Sequence, residues 1–229
     1  MLYDKRISLD PRLSMIAEML ATCSCCADIG SDHGRLGAFL LQNHRCERMC
    51  LTDISAPSLD KARKLIALLG LEDKTGFYVG DGALALEEKV DAAVIAGMGG
   101  ETISEIIENS AGKLDGARLI LQPNVAAPQL RRCLNKCGYR IVDEALVRDG
   151  RRIYVIIEAQ PGEQELTDVE CEVGPVLLKK RPEELADYTA FRLRVAKKAF
   201  EGARNGSDSE NIEALRKEIS IWEDVEKCL

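Results

Sequence analysis

The first 160 residues alternate between short apolar runs and longer segments whose apolar positions have helical spacing. The apolar runs predict strands at 24–29, 48–54, 77–79, 91–96 and 117–122. The segments between them predict helices at 35–42, 55–70, 101–108 and 127–137, after an amphipathic helix at 5–20. Asp10 and Ser55 are placed to cap their helices, and Gly70 and Gly138 are placed to end theirs.

The pattern changes after residue 138. Two further strands, 139–147 and 152–159, are predicted around the turn pair Asp149-Gly150. Five β/α units that end in an antiparallel hairpin describe an α/β fold with a Rossmann-like, doubly wound sheet. This ending is typical of class I S-adenosylmethionine (SAM) methyltransferases, so we expect one such domain over residues 1–160.

The sheet pattern stops at Pro161-Gly162, and two long helices are predicted at 182–203 and 209–228, around Asn205-Gly206. In the second helix, apolar residues fall at near-heptad spacing: Ile212, Leu215, Ile219, Trp222 and Leu229. We therefore expect residues 161–229 to form a second unit, an antiparallel and coiled-coil-like helical hairpin.

Composition narrows the class of protein. The chain has 229 residues, of which 46% are hydrophobic and 30% charged, so a globular protein with an ample core is expected. Charged residues occur throughout the first 20 positions, which predicts a cytoplasmic protein without a leader peptide or membrane segment. The nine cysteines lack paired Cys-x-x-Cys spacing, so we expect reduced, packed thiols and no metal.

The loop "ADIGSDHG" follows the first strand and combines glycines at 30 and 34 with Asp28 and Asp32. Glycine lets the polar groups of a cofactor approach the backbone, whereas an acid repels a pyrophosphate and suits a cationic amino-acid group. Asp53 ends the second strand, 25 positions after Asp28, where an acid commonly accepts hydrogen bonds from ribose hydroxyls. The alternatives are an ordinary β–α turn and a carboxylate that stabilises a helix N-terminus.

Three more loops follow predicted strands. Gly80-Asp81-Gly82 would lie against an adenine ring in this fold, and "IAGMGGETI" places Gly97, Gly99 and Gly100 after a buried strand. "LQPN" places the amides of Gln122 and Asn124, on either side of Pro123, where they could bind the edge of a base. Simple turns remain the alternative for each loop.

These motifs, in this order, resemble the bacterial tRNA (adenine-N1)-methyltransferase family TrmK. "LDPRLSMIAEML" near the start, "YRIVDEALVRDGRRIYVII" in the hairpin and "VGPVL" after it add to the resemblance, which covers most of the chain. Asp10 departs from the serine that the family often has there, and the segment before Asp28 is unusually rich in cysteine. The resemblance implies SAM as the methyl donor, S-adenosylhomocysteine as its product, and N1 of adenosine 22 in the D-arm of tRNA as the acceptor.

The resemblance also implies site residues. The expected cofactor-binding residues are Asp28, Gly30, Ser31, His33, Asp53, Ile54, Gly80, Asp81, Gly82, Ala96, Gly97 and Met98. The expected substrate-binding residues are Arg12, Gly99, Gly100, Gln122, Pro123, Asn124, Arg131 and Arg132.

Asp32 is the candidate catalytic residue. Methylation at N1 makes the adenine ring cationic, and a carboxylate beside the purine would stabilise that charge or accept a proton from N6. The alternative is that Asp32 only shapes its loop through backbone hydrogen bonds. The target adenosine must be unpaired or extruded from a helix before it can react.

The net charge of −7 does not favour a nucleic-acid partner by itself. Basic clusters at 61–64, 131–140, 148–152, 179–181 and 192–198 could together form a positive rim for tRNA, although any one of them alone is more typical of a solvated helix face. We expect the C-terminal hairpin to hold the tRNA, so that deletion of 163–229 weakens tRNA binding and spares SAM binding.

Several alternatives stay open at this point. The chain could methylate another RNA or a small molecule, it could be a nicotinamide-dependent dehydrogenase, or it could be a non-catalytic scaffold. The absence of Gly-x-Gly-x-x-Gly in the first loop disfavours the dehydrogenase. Neither DNA nor a membrane is an expected partner, and a monomer is favoured over an oligomer.

Overall fold

The computed structural model describes residues 6–110, 112–204 and 208–229. Within these ranges, seven strands form one sheet in the order β3-β2-β1-β4-β5-β7-β6. The strands are β1 (Cys23–Ile29), β2 (Cys46–Asp53), β3 (Thr75–Val79), β4 (Ala92–Met98), β5 (Arg118–Pro123), β6 (Tyr139–Asp149) and β7 (Arg152–Pro161). The first five are parallel, and β7 and β6 complete the sheet as an antiparallel hairpin. The predicted Rossmann-like architecture is confirmed.

One helix precedes β1 and four others follow β1, β2, β4 and β5, as the sequence predicts. They are α1 (Pro11–Met19), α2 (Arg35–Gln42), α3 (Ala56–Leu69), α4 (Gly100–Glu108) and α5 (Ala127–Lys136). The Asp10 carboxylate accepts from the Leu13 amide at 2.7 Å, so α1 begins at Pro11 and not at residue 5. Ser55 caps α3, and Gly70 ends that helix in the left-handed conformation.

After the sheet, residues 162–204 and 208–229 contain four helices: α6 (Asp168–Val173), α7 (Pro175–Lys180), α8 (Glu184–Ala203) and α9 (Ser209–Cys228). The two long helices were predicted, whereas α6 and α7 were not. The predicted Asn205-Gly206 turn lies outside the described residues. No helix in the described ranges has the length and apolar character needed to cross a membrane.

The core continues from the sheet into the C-terminal helices. On one face of the sheet, a single buried cluster joins Ile103 of α4 and Leu130 of α5 to Val173 and Trp222. Trp222 is fully buried, packs edge-on against Tyr188 with ring centroids 5.7 Å apart, and donates from Nε1 to Glu172 at 3.0 Å. Leu229, also assigned to the heptad stripe, is 51% exposed and lies outside this core.

Arg131 is buried at the same junction, and its assignment as a tRNA-binding residue is wrong. Its side chain is fully buried, and Nε donates to Glu144 Oε1 at 2.8 Å. Nη1 donates to the carbonyls of Cys171 and Glu172, at 2.9 and 3.1 Å. Glu144 Oε2 accepts from the Val176 amide at the start of α7. Arg131 of α5 and Glu144 of β6 therefore connect their own elements to α6 and α7. The hydrogen bonds of Arg131 are all made to atoms inside the protein, so its side chain is not available to tRNA.

Candidate active site

A cavity of about 400 Å³ opens at the carboxyl ends of β1, β2 and β4. Ligands of doubly wound sheets bind at this edge, and the volume lies within the usual range for ligand sites of roughly 300 to 1,000 Å³. Most of the predicted cofactor residues line the cavity: Gly30, Asp53, Ile54, Asp81, Gly82, Ala96, Gly97 and Met98. The other four, Asp28, Ser31, His33 and Gly80, lie outside its wall.

The loop after β1 is held against β2 by its backbone. The amides of Gly30 and Ser31 both donate to the Thr52 carbonyl, at 2.8 and 3.0 Å. Gly30 has φ +76°, and a Cβ there would stand 2.1 Å from the Met98 methyl carbon. Glycine is therefore required at position 30 both by the backbone conformation and by the approach of Met98.

Asp53 joins this loop to α3. Its Oδ2 accepts from the Asp32 amide at 3.1 Å, and its Oδ1 accepts from the Ser55 amide at 2.8 Å. A carboxylate has about four acceptor positions, so Asp53 can still accept from hydroxyl groups in the cavity that it lines.

Asp28 is buried beneath the loop. Burial and, to a lesser extent, the charge of Asp53 raise the pKa of Asp28 to about 7, while the Arg12 guanidinium opposes both effects. The Asp28 carboxyl group therefore titrates near neutral pH. A cationic group nearby would stabilise its ionised form.

Asp32 lies on the exposed side of the loop. Its backbone has φ +46°, a left-handed conformation that asparagine and aspartate tolerate better than most residues. Its carboxylate contacts Nδ1 of His33, and both side chains are more than half exposed. Asp32 thus has two distinct features, a backbone amide bound to Asp53 and a solvent-facing carboxylate.

Gln122 and Asn124 hold the loop after β4 and do not face the cavity. Gln122 Oε1 accepts from Arg12 Nη1 at 2.6 Å and from the Gly97 amide at 3.1 Å. Its Nε2 donates to Asn124 Oδ1, and Asn124 Nδ2 donates to the Gly97 carbonyl at 2.7 Å. Gln122 is fully buried, so its predicted role in binding a base edge is wrong. The two amides instead fix both polar atoms of the Gly97 backbone.

The remaining predicted substrate residues are placed as follows. Gly99 precedes α4, and Gly100 begins it where a Cβ would stand 2.2 Å from the Ala126 carbonyl oxygen. Pro123 is the buried last residue of β5. Arg132 is 43% exposed and lies 3.8 Å from Asp168.

The sequence motifs did not predict one wall of the cavity, which is formed by α4. Thr102, Glu105, Ile106 and Asn109 of the α4 segment line it, together with Thr52 and the 3-10 turn Gly82–Ala85. The four α4 positions follow the i, i+3, i+4, i+7 spacing of a single helix face. The helical spacing of these four positions can be seen in "ETISEIIEN", directly after the glycine-rich loop, and it could have predicted that this helix face borders the cavity.

Residues 26–224 match the sequence model of the family described as TrmK, tRNA (adenine(22)-N(1))-methyltransferase. The chain belongs to the TrmK family. The match includes the loops that form the cavity, so the nicotinamide-dependent dehydrogenase and the scaffold are set aside.

Relatives of known description agree with membership of the TrmK family. The chain is 29% identical over 222 residues to a Bacillus subtilis tRNA (adenine(22)-N(1))-methyltransferase, with 93% of each chain covered. The solved B. subtilis TrmK structure has a TM-score of 0.88 at 27% identity, covering 96% of this chain and 100% of the other. A candidate tRNA (m1A22) methyltransferase from Streptococcus pneumoniae, solved in complex with SAM, has a TM-score of 0.86 at 26% identity, with the same coverage.

Proposed function

We propose that this chain transfers a methyl group from SAM to N1 of adenosine 22 in tRNA. The observation that carries the proposal is the cavity at the carboxyl edge of the sheet, whose wall combines close-approach glycines with Asp53 and Asp81 in a chain of the TrmK family. Methylation of another RNA or a small molecule uses the same cofactor site and differs only in the acceptor.

The polar atoms at the cavity fit SAM. Asp53 and Asp81 supply acceptors for ribose hydroxyls and an adenine amino group, and Gly30 and Gly97 leave room along the backbone. Ser31 lies outside the cavity wall but follows Gly30, which lines it, and Ser31 Oγ is buried without a hydrogen-bond partner among the described residues. SAM supplies an activated methyl group on its sulfonium, so the chain mainly has to align the acceptor and exclude water.

Asp32 is our candidate for the residue that acts on the adenine. Its carboxylate belongs to the loop that borders the cofactor cavity, and its backbone is fixed by Asp53. In this position a carboxylate can stabilise positive charge as it develops on the purine, or accept a proton from N6. The His33 ring contacts this carboxylate through Nδ1 and would help to hold its orientation.

The tRNA-binding surface is expected along the same edge of the sheet. Because β7 runs antiparallel to β5, the turn between β6 and β7 lies at the edge where the cavity opens. Arg151 and Arg152 belong to this turn and form no ion pair within the described residues. Several other predicted tRNA contacts are paired with acids, including Arg148 with Asp187 and Lys197 with Glu223. Arg151 and Arg152 are therefore better candidates than these paired residues, with the 161–229 hairpin as a second contact to tRNA.

The decisive experiment incubates the protein with SAM and unmodified tRNA. We expect N1-methyladenosine by nucleoside mass spectrometry and a primer-extension stop at position 22. A tRNA with guanosine at that position is the matched control and should remain unmodified. Transfer of a methyl group to a small molecule, with no N1-methyladenosine in any tRNA, would refute the proposal. Since tRNA is the substrate, the proposal also places the enzyme in the cytoplasm.

A further inference from the structure

Two thiols and a carboxylate converge between α4 and α5, on residues that the methyl transfer does not use. The Sγ atoms of Cys133 and Cys137 are 3.7 Å apart, one turn from each other on α5. Glu108 Oε1, at the end of α4, lies 3.7 Å from Cys133 Sγ. All three potential ligand atoms fall within 4.8 Å of one another.

Two of these three separations match the edges of a tetrahedral metal site, and the third, between Glu108 and Cys137, is at most 4.8 Å. Two thiolates bound to Zn²⁺ at about 2.3 Å stand about 3.8 Å apart, and a thiolate and a carboxylate oxygen about 3.5 Å. The observed distances of 3.7 Å therefore require little movement of the side chains. A hydrogen bond between two thiols would also bring the sulfur atoms this close, so the chemistry of the third group becomes important.

Glu108 is available as that third ligand. It is exposed, Cys137 is half-buried, and no described residue forms an ion pair with Glu108. One side of the cluster thus faces solvent, from which a cation can enter and a water can complete the tetrahedron. Because the ligands of such a cation are thiolates, binding must release the thiol protons of the two cysteines.

A second cluster of the same composition provides the contrast. Cys25, Cys50 and Glu88 also converge, but both thiols are buried between strands. The Glu88 carboxylate already accepts from Arg48 Nη2 at 2.7 Å and from the Tyr78 hydroxyl at 3.2 Å. The Arg48 guanidinium opposes a cation there, so this second cluster is closed to metal.

We propose that Glu108, Cys133 and Cys137 bind a thiophilic divalent cation, Zn²⁺ or Cd²⁺, with water as the fourth ligand, and that the cation clamps α4 to α5. Soft thiolate ligands select such metals over Mg²⁺ or Ca²⁺. A cation that holds α4 in place would also hold one wall of the cofactor cavity, because Thr102, Glu105 and Ile106 of α4 line that cavity.

The test uses the full-length, reduced and chelator-treated protein titrated with Co²⁺ and then Zn²⁺. We expect one equivalent of Co²⁺ with the visible bands of a tetrahedral thiolate site, displaced by Zn²⁺. Cys137→Ser should lower Zn²⁺ affinity by at least about tenfold and reduce the thiolate bands by half or more, and Glu108→Gln should weaken binding with the thiolate bands retained. Circular dichroism verifies that each variant is folded.

Two control variants distinguish this site from other thiols. Cys228→Ser removes an exposed cysteine at the chain end, and Cys25→Ser removes one thiol of the second cluster. Both should bind Co²⁺ as the parent protein does. The proposal is overturned if no metal binds, if the bands keep their full intensity in Cys137→Ser, or if Cys25→Ser loses them.

Hydrogen exchange tests the clamp. Zn²⁺ should slow amide exchange along α4 in the parent protein and leave Cys137→Ser unchanged. Equal exchange rates in the parent protein with and without bound Zn²⁺ would overturn the clamp.

Discussion

Single residues at the cavity edge combine two functions, one of the backbone and one of the side chain. Asp32 is an example, since its amide binds Asp53 while its carboxylate faces solvent. The left-handed backbone at Asp32 means that Asp32→Ala would change both the charge and the backbone preference. Asp32→Asn tolerates the same conformation, so it isolates the charge.

We expect Asp32→Asn to lower the rate of tRNA methylation by about 10²- to 10⁴-fold, the usual contribution of a positioned acid or base. SAM affinity, measured by titration calorimetry, should stay near that of the parent protein because the Asp53 contact uses the unchanged amide. A near-normal methylation rate would mean that residue 32 serves only the loop backbone.

Asp28 gives a prediction about pH. Its pKa of about 7 means that the carboxyl group ionises as pH rises through neutrality. A cationic cofactor binds the ionised form better and lowers this pKa, so SAM affinity should increase as pH rises toward 7 and then level off. Titrations at several pH values, compared with Asp28→Asn, separate this effect from the titration of SAM itself. An unchanged pH dependence in Asp28→Asn would assign the effect to another group.

Elements were predicted where local chemistry determines them. Asp10 and Ser55 cap their helices, and Gly70 ends one, through contacts with neighbouring backbone. The parallel arrangement of β1 to β5 follows from the alternation of strands with helices along the chain. The short helix α6 had a local signal too, since Thr167 and Glu170 form a capping box. That signal was overlooked because the helix is too short to show an apolar stripe.

The site residues were less predictable because their roles depend on contacts between distant segments. Gln122 reaches Arg12 across 110 positions, and no local pattern contains that pair. Arg131 is a different case, since it lies on the buried stripe of α5 with Ala127, Leu130 and Leu134. Its charge led to the prediction of a solvent-exposed side chain, whereas its position on the apolar helix face already indicated burial.

The buried Arg131–Glu144 ion pair connects α5 to β6, so its loss should lower the stability of the fold. Arg131→Met or Glu144→Gln leaves the other group buried without its ionic partner, and each change should cost about 3–5 kcal/mol in free energy of unfolding. Urea denaturation measures this. The double change to Met and Leu should recover part of the loss, because it removes both charges. A single change that costs less than about 1 kcal/mol would show that the pair is solvated.

At the scale of the whole molecule, the shared core revises the design of the deletion experiment. Removing 163–229 takes away Trp222, Val173 and Leu177 from a cluster that includes the sheet. We therefore expect the truncated chain to lose cooperative folding, so it cannot report on tRNA binding alone.

The single tryptophan makes this dependence measurable. Trp222 fluorescence reports on the C-terminal helices, and far-ultraviolet circular dichroism reports on the whole chain. If both belong to one cooperative unit, the two urea transitions will coincide. Separate midpoints would instead show that residues 161–229 unfold independently.

The turn between β6 and β7 carries the prediction for tRNA. Arg151→Ala with Arg152→Ala should weaken tRNA binding and reduce the slope of log affinity against log salt by about 1 to 2, since phosphate contacts release counterions. SAM affinity should be unchanged. Lys89→Ala is the control, because this exposed lysine precedes β4 at the opposite edge of the sheet. An equal effect of Lys89→Ala would point to a nonspecific loss of charge.

Asp53 has a consequence for the thermodynamics of cofactor binding. Its two bonds to the Asp32 and Ser55 amides order the loops on either side of the cavity during folding. The conformational entropy of those loops is therefore lost before the cofactor arrives, and less of the binding energy is spent on immobilising them. Replacing Asp53 would thus change the heat and entropy of binding beyond the loss of one acceptor, because the loops would become ordered only in the complex.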